Sequence, residues 1–188
     1  MPRLCWVIAA YDRFFRAVHG LNSPAAEVGS TLRVEVRHCR HHLQFADGTT
    51  VRPGDRICVL HLNNEVIRAL HRECPSPIRV ALAFRRQLLA SFADLVRLTA
   101  PGGRLIGINA FAATTIFHDP LRAIGFEPAH DRLLWPELVA LYQRALLAYL
   151  HPAGGLRLQG ASLRRAERLW ISRQGLLQLI RSRRSPLG

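Results

Sequence analysis

The sequence contains no lysine; all 26 of its basic residues are arginine. Acidic residues are also few. Thirteen against 26 leaves a net charge of +13 over 188 residues. Arginine keeps its charge at any physiological pH, and its planar fork suits phosphate and carboxylate groups. An anionic partner is therefore expected: nucleic acid, an acidic membrane surface, or a phosphorylated sugar or lipid. A GC-rich genome would write arginine for lysine, but that bias does not explain the excess of base over acid. No apolar run approaches the ~18 to 20 residues of a membrane-spanning helix. The stretch from Leu4 to Ala10 is too short for a secretory leader, and Tyr11-Asp12-Arg13 interrupts it. The four cysteines, Cys5, Cys39, Cys58 and Cys74, form no C-x-x-C pair and no compact framework. Reduced thiols and a cytoplasmic location follow, with contact at the inner face of the membrane as a further option.

Several chemical signatures are missing too. The chain has no G-x-S-x-G, no phosphate-binding loop, no G-x-G-x-x-G and no H-E-x-x-H. The scattered acids offer no obvious pair for glycoside hydrolysis. Aromatic residues do not interleave with the arginines as on a single-strand-binding surface. No cofactor and no metal are expected.

What is present is an ordinary globular composition, 49% hydrophobic and 21% charged, in a chain long enough to bury a core. Leu4 to Val18 reads as a helix closed by Gly20. Trp6, Ala9, Ala10, Phe14, Ala17 and Val18 form its apolar face. That face is expected to dock on the core, with a membrane surface as the alternative. Leu21 to Ser30 is a loop. Thr31 to His38 alternates strictly, which turns Leu32, Val34 and Val36 to the core and Arg33, Glu35 and Arg37 to water. His41 to Phe45 is a second short strand, and Asp47-Gly48 turns back into Thr49-Thr50-Val51. Gly54 to Asn64 follows as a strand. Ser76-Pro77 starts a helix that runs to about Thr99 on a stripe of Ile78, Leu82, Leu89, Phe92 and Val96. Leu105 to Phe111 is a strand covered on both faces. Asp119 caps a short helix that starts at Pro120 and closes at Gly125. A longer helix spans Pro136 to Leu150, with Leu138, Leu141, Tyr142, Ala145 and Tyr149 inward, and His151 to Gly155 breaks it. Leu169-Trp170-Ile171 is a short strand. Ser172 caps a last helix from Arg173 to Ile180. The fold class is α/β, a single domain with a mixed sheet of about five strands packed by about four to five helices. Residues 1–30 form an N-terminal helix and loop, 31–181 the α/β domain and 182–188 a basic tail.

The richest segment is the strand from Gly54 to Asn64. It is apolar as far as Leu60, then carries His61, Asn63, Asn64 and Glu65. Ligand crevices of open α/β sheets lie at such carboxyl ends. His61 is placed to act as acid, base or ligand near neutral pH, with Asp55 or Glu65 in support. Period two sets His61 and Asn63 on one face, to bind a carbonyl or sugar hydroxyl. Asn64 falls on the other face and is expected to cap the helix from Glu65 to His71. Two further segments are weaker. His38-Cys39-Arg40-His41-His42 is rich in metal-ligand types but has no second pair at ligand spacing, so exposed strand residues are expected. Thr114 to Asp119 could hold an anion at a helix start, but Asp119 already occupies that end.

Asp47-Gly48-Thr49, Arg52-Pro53-Gly54-Asp55 and Leu60-His61-Leu62-Asn63-Asn64 together resemble the core motif of the YkoP-like domain family. Ile124-Gly125-Phe126, Tyr149-Leu150-His151-Pro152 and Leu169-Trp170-Ile171-Ser172-Arg173 follow in the same order. The resemblance covers about Arg33 to Ile180. In that family the domain occurs alone or attached to polysaccharide deacetylase modules. The resemblance implies a link to envelope polysaccharide or lipid metabolism, and it supplies no catalytic residues. None of the deacetylase metal-binding motifs is present, so deacetylation is not expected. The leading expectation is an accessory or ligand-binding domain that takes an anionic sugar or lipid precursor near His61, Asn63 and Asn64, with Arg173 among the assisting arginines. A small hydrolase or transferase using His61 comes second, and an arginine-driven nucleic-acid binder third.

Overall fold

The computed structural model describes residues 2–74, 76–129, 133–150 and 164–184. The strands are β1 (Glu27–Val28), β2 (Leu32–His38), β3 (Leu43–Gln44), β4 (Thr50–Val51), β5 (Arg56–Leu62), β6 (Ala110–Thr115), β7 (Glu127–Pro128) and β8 (Glu167–Ser172). The helices are α1 (Pro2–Val18), α2 (Asn64–Glu73), α3 (Pro77–Leu98), α4 (His118–Arg122), α5 (Pro136–Leu150) and α6 (Arg173–Arg184). Six strands form one mixed sheet in the order β1-β2-β5-β6-β8-β7, and β3 pairs with β4 in a separate hairpin. β5 and β6 are parallel, and every other neighbouring pair is antiparallel. A parallel pair needs a long crossover, and α2 with α3 supplies it. β1 adds residues 27–28 to the edge, so part of the expected N-terminal loop belongs to the sheet.

Alternation along the strands sends side chains to two covered faces. On one, Val34, Cys58, Leu60, Phe111, Leu169 and Ile171 pack against Phe92, Leu95 and Val96 of α3 and Leu176 and Leu179 of α6. On the other, Ile57, Ala110, Ala112 and Trp170 meet Leu43, Phe45 and Val51 of the hairpin. The alanines of β6 let the hairpin approach closely. Burial pushes the Cys58 thiol up to about 12, so it stays protonated and serves as a small apolar side chain.

Several boundaries differ from those read in the sequence. The expected strand at Leu105 to Phe111 begins only at Ala110. Gly102 and Gly107 hold φ of +82° and +84°, and the Leu105 amide donates back to the Leu98 carbonyl at 2.9 Å. Leu105 and Ile108 thus plug the core from a turn. The strand expected over His41 to Phe45 shortens to Leu43–Gln44. The short helix starts at His118 behind Phe117, with no side-chain cap, rather than at Asp119-Pro120. α6 continues past Ile180 to Arg184. On α3, Ile78 and Leu82 are exposed, because a helix of 22 residues is about 33 Å long and outruns the sheet. On α5, Leu138 and Leu141 are exposed, and Val139, Ala140 and Leu147 face inward instead. Gln143 sets that rotation: its amide donates to the Thr114 carbonyl and accepts from the Ile116 amide, both at 2.8 Å. The breaker at His151 to Gly155, the Tyr149 side chain and the tail beyond Arg184 lie outside the described residues.

Candidate functional site

The carboxyl end of β5 is roofed by α1. Arg33 pairs with His61 across the β2–β5 ladder, and Glu35 pairs with Val59, so Arg33, Glu35 and His61 share one sheet face. That face was expected to meet water. Instead Arg33 is buried and Glu35 is largely covered. The Glu35 carboxylate gathers three groups. Arg37 Nε donates to Oε1 at 2.7 Å. His19 Nδ1 lies 3.2 Å from the same oxygen, and His61 Nε2 lies 3.4 Å from Oε2. Arg37 Nη2 also lies 3.0 Å from His19 Nδ1. That nitrogen stands between a donor and an acceptor and satisfies one at a time. Phe15 packs on both histidines, with ring centroids 4.1 Å from His19 and 5.6 Å from His61. Burial pushes the His61 imidazole below its ordinary value, and the nearby Glu35 opposes this without reversing it. Burial also pushes the Glu35 carboxyl up, but hydrogen bonds and charge from Arg37 and His19 outweigh that and hold it below the usual range. Burial thus favours the neutral form of the His61 imidazole, and its neighbours favour the ionised form of the Glu35 carboxylate.

The other residues expected near His61 do not join it. Asn63, not Asn64, caps α2: its Oδ1 accepts from the Glu65 amide at 3.2 Å. Asn64 instead reaches α1 and donates to Asp12 Oδ1 at 2.8 Å. β5 ends at Leu62, so the period that grouped Asn63 with His61 no longer applies there. Glu65 accepts from Arg16 at 2.8 Å, and that guanidinium holds its carboxyl below the ordinary value. Asp55 lies six residues before His61, roughly 20 Å along the strand, and accepts from the Arg52 amide at 2.7 Å in its own turn. Arg173 stands at that same far end. Its amide donates to the Asn109 carbonyl at 2.8 Å and its Nε to Thr99 Oγ1 at 3.0 Å. The partners of His61 are Glu35 and His19, which sequence periodicity had assigned to solvent and to a helix terminus.

The two weaker segments are structural. Cys39 is buried and its thiol donates to the His41 carbonyl at 3.1 Å, with His38, His41 and His42 exposed around it. Among the described residues no group of three or more His, Cys, Asp or Glu is arranged to hold a metal. In the loop after β6, Thr115 Oγ1 accepts from the Phe117 amide, and His118 contacts Asp119.

A groove opens at the other end of the sheet, with a volume of about 740 Å³. Its walls are the β3–β4 turn, the α4–β7 turn and α6. Asp47, Ile124, Gly125, Glu127, Ser172, Gly175 and Gln178 are among its lining residues. The sequence places them on three separate segments. Ser172 organises this end: its Oγ accepts from the Gly175 amide at 2.8 Å, capping α6, and donates to Asp47 Oδ2. Partial burial pushes the Asp47 carboxyl up, yet Ser172 and the Thr49 amide hold it below its ordinary value. Glu127 accepts from the Ala46 amide at 3.1 Å. Each carboxylate keeps lone pairs free for a ligand. Ile124, Ile171 and Leu179 supply apolar surface beside them. This combination of fixed acceptors, a side-chain amide and an apolar floor is suited to a hydroxylated ligand with an apolar face. The sequence reading used Asp47 and Ser172 as turn and cap and missed that they meet.

The family model for the YkoP domain matches residues 3–180. No curated protein and no solved structure matches the chain.

Proposed function

The chain belongs to the YkoP domain family, and from that premise we propose that it is a ligand-binding accessory domain in cell-envelope polysaccharide or lipid metabolism, with a sugar-bearing precursor seated in the Asp47–Ser172 groove. One observation carries the reading. The segments around Asp47, Ile124-Gly125 and Ile171-Ser172, on which the family resemblance rests, converge on one groove lined by hydrogen-bonding groups and apolar surface. Asp47 and Glu127 accept from sugar hydroxyls, Gln178 donates and accepts, and the apolar floor takes a ring face. Two carboxylates repel a phosphate, so any charged part of the precursor sits outside the groove. Anions elsewhere on the surface are left to arginine. The domain acts in the cytoplasm, at the inner face of the membrane.

Calorimetric titration with a neutral N-acetylglucosamine tetramer and with a glycerol-phosphate oligomer tests this. The neutral glycan binds, and Asp47→Ala or Gln178→Ala weakens it by about tenfold, the loss of one hydrogen bond to a charged or amide partner. Binding that ignores both substitutions overturns the placement.

The Glu35–His61 pair favours a second reading, a small hydrolase or transferase in which neutral His61 takes a proton and Glu35, rather than Asp55 or Glu65, orients it. Activity on an envelope precursor that vanishes in His61→Ala, with folding intact, would carry it. Nucleic-acid binding has less support, since the aromatic residues do not interleave with the arginines as on a single-strand-binding surface.

A further inference from the structure

α1 is mounted with its polarity inverted. A helix lying on a domain normally turns its apolar stripe inward. Here Asp12, Phe15, Arg16 and His19 face inward, because the surface beneath them is polar. Asp12 accepts from Asn64 at 2.8 Å, Arg16 pairs with Glu65 at 2.8 Å, and His19 meets Glu35. Trp6, Phe14 and Val18, expected to dock, are instead 73%, 66% and 62% exposed. Tyr11 joins them and packs on Tyr142 of α5 with ring centroids 4.8 Å apart. Across that contact the start of α5 adds Leu134, Trp135, Leu138 and Leu141, all between 59% and 80% exposed. Trp135 holds φ of +57°, a left-handed conformation that strains a bulky residue, with its indole in solvent. Scattered exposed leucines are ordinary, but two aromatic-rich exposed groups on helices joined by the Tyr11–Tyr142 contact mark an interaction surface.

We propose that this face of α1 and the start of α5 is a docking surface for an anionic lipid membrane. Two features choose lipid over a second copy or a protein partner. The group contains two tryptophans, a tyrosine and a phenylalanine, the side chains that settle at the headgroup boundary. The chain also carries a net +13, with Arg13 exposed on α1 beside the patch. The acids nearby are already engaged, Asp12 and Glu65 by Arg16 and Glu137 by Arg165. Among the described residues no helix is long and apolar enough to cross a membrane, so the surface lies on the bilayer. This inference is independent of the groove.

Vesicle sedimentation tests it, using phosphatidylcholine alone and phosphatidylcholine mixed with phosphatidylglycerol. The protein sediments with the anionic vesicles, and its tryptophan emission shifts to shorter wavelength. Of its three tryptophans, Trp170 is buried, so Trp6 and Trp135 report contact. The paired variants Trp6→Ser with Phe14→Ser and Trp135→Ser with Leu138→Ser each weaken binding by at least about tenfold, as burial of large apolar side chains requires. These positions are solvent-exposed, so the fold survives and circular dichroism verifies it. No sedimentation with anionic vesicles overturns the proposal. So does binding that disappears with salt but is unaffected by the four substitutions, which would make it arginine electrostatics alone. A concentration-dependent dimer abolished by the same variants, without vesicle binding, would assign the face to a second copy.

Discussion

Replacing Ser172 by alanine removes a hydroxyl that ties the groove to the sheet. Ser172 is 2% exposed. Its Oγ accepts from the Gly175 amide at 2.8 Å and donates to Asp47. Loss of a helix N-cap costs about 1 kcal/mol. The bond to Asp47 adds less, roughly 0.5 kcal/mol, because that carboxylate is exposed and water takes over. The expected total is roughly 1.5 kcal/mol. With a urea slope of about 2 to 3 kcal/mol per molar, the unfolding midpoint falls by about 0.5 to 0.75 M. Circular dichroism at equilibrium in urea reads this directly. Asp47→Ala loses the smaller part together with its own bond from the Thr49 amide, and the double variant costs less than the sum of the two single variants, since they share one interaction. A midpoint unchanged in Ser172→Ala, or strict additivity in the double variant, would refute the argument that Ser172 joins α6 to the β3–β4 turn.

Stability should fall in acid, in two stages. His61 has a lowered value in the folded state, so the unfolded chain takes up a proton near pH 6.5 that the folded chain refuses. Stability is therefore full above that pH and declines as pH falls through it. Glu35 also has a lowered value, so its contribution is present above pH 4.5 and is lost as pH falls through its folded value. Urea midpoints measured from about pH 8 to about pH 2.5 trace both stages, and His61→Gln flattens the upper one. An upper stage that persists unchanged in His61→Gln would show that another group causes it. Gly29→Ala should be among the most damaging single changes. Its Cβ would run into Ser91 Oγ and lie 2.8 Å from Ser91 Cα, at a φ of +58°. Backbone strain of about 1 to 2 kcal/mol plus a clash with backbone predicts a loss above about 3 kcal/mol, read by thermal melting. Loss of less than about 1 kcal/mol would mean that β1 moves freely off α3.

Elements built from local chemistry were legible. Gly20 closes α1 at φ of +65°, Ser76-Pro77 starts α3 with the serine accepting from Arg79, and Ser172 caps α6. The alternation of β2 and the apolar body of β5 put both in the sheet. Features set by distant packing were not. The run at Leu105 to Ile108 is as apolar as a strand, but Gly102 and Gly107 turn it, and the core that receives Leu105 and Ile108 explains its composition. Glu35 and Arg37 alternate as a solvated face would. Arg37 does stay exposed, but Glu35, like Arg33, is covered because α1 crosses that end of the sheet, a contact that links residues far apart in the chain. Periodicity located His61 correctly on β5 but could not name its partners. It assigned Asn64 to the cap that Asn63 makes, since the two differ by one residue and either would serve.

The groove is where the account can fail most plainly. Chemical-shift mapping of the amide spectrum during titration with the neutral N-acetylglucosamine tetramer tests it directly. The account predicts changes that cluster at Asp47, Gly125, Ser172, Gly175 and Gln178, and that disappear in Asp47→Ala with Gln178→Ala while the rest of the spectrum is preserved. Saturable changes centred instead on His19, Arg37 and His61, or none at all, would contradict it.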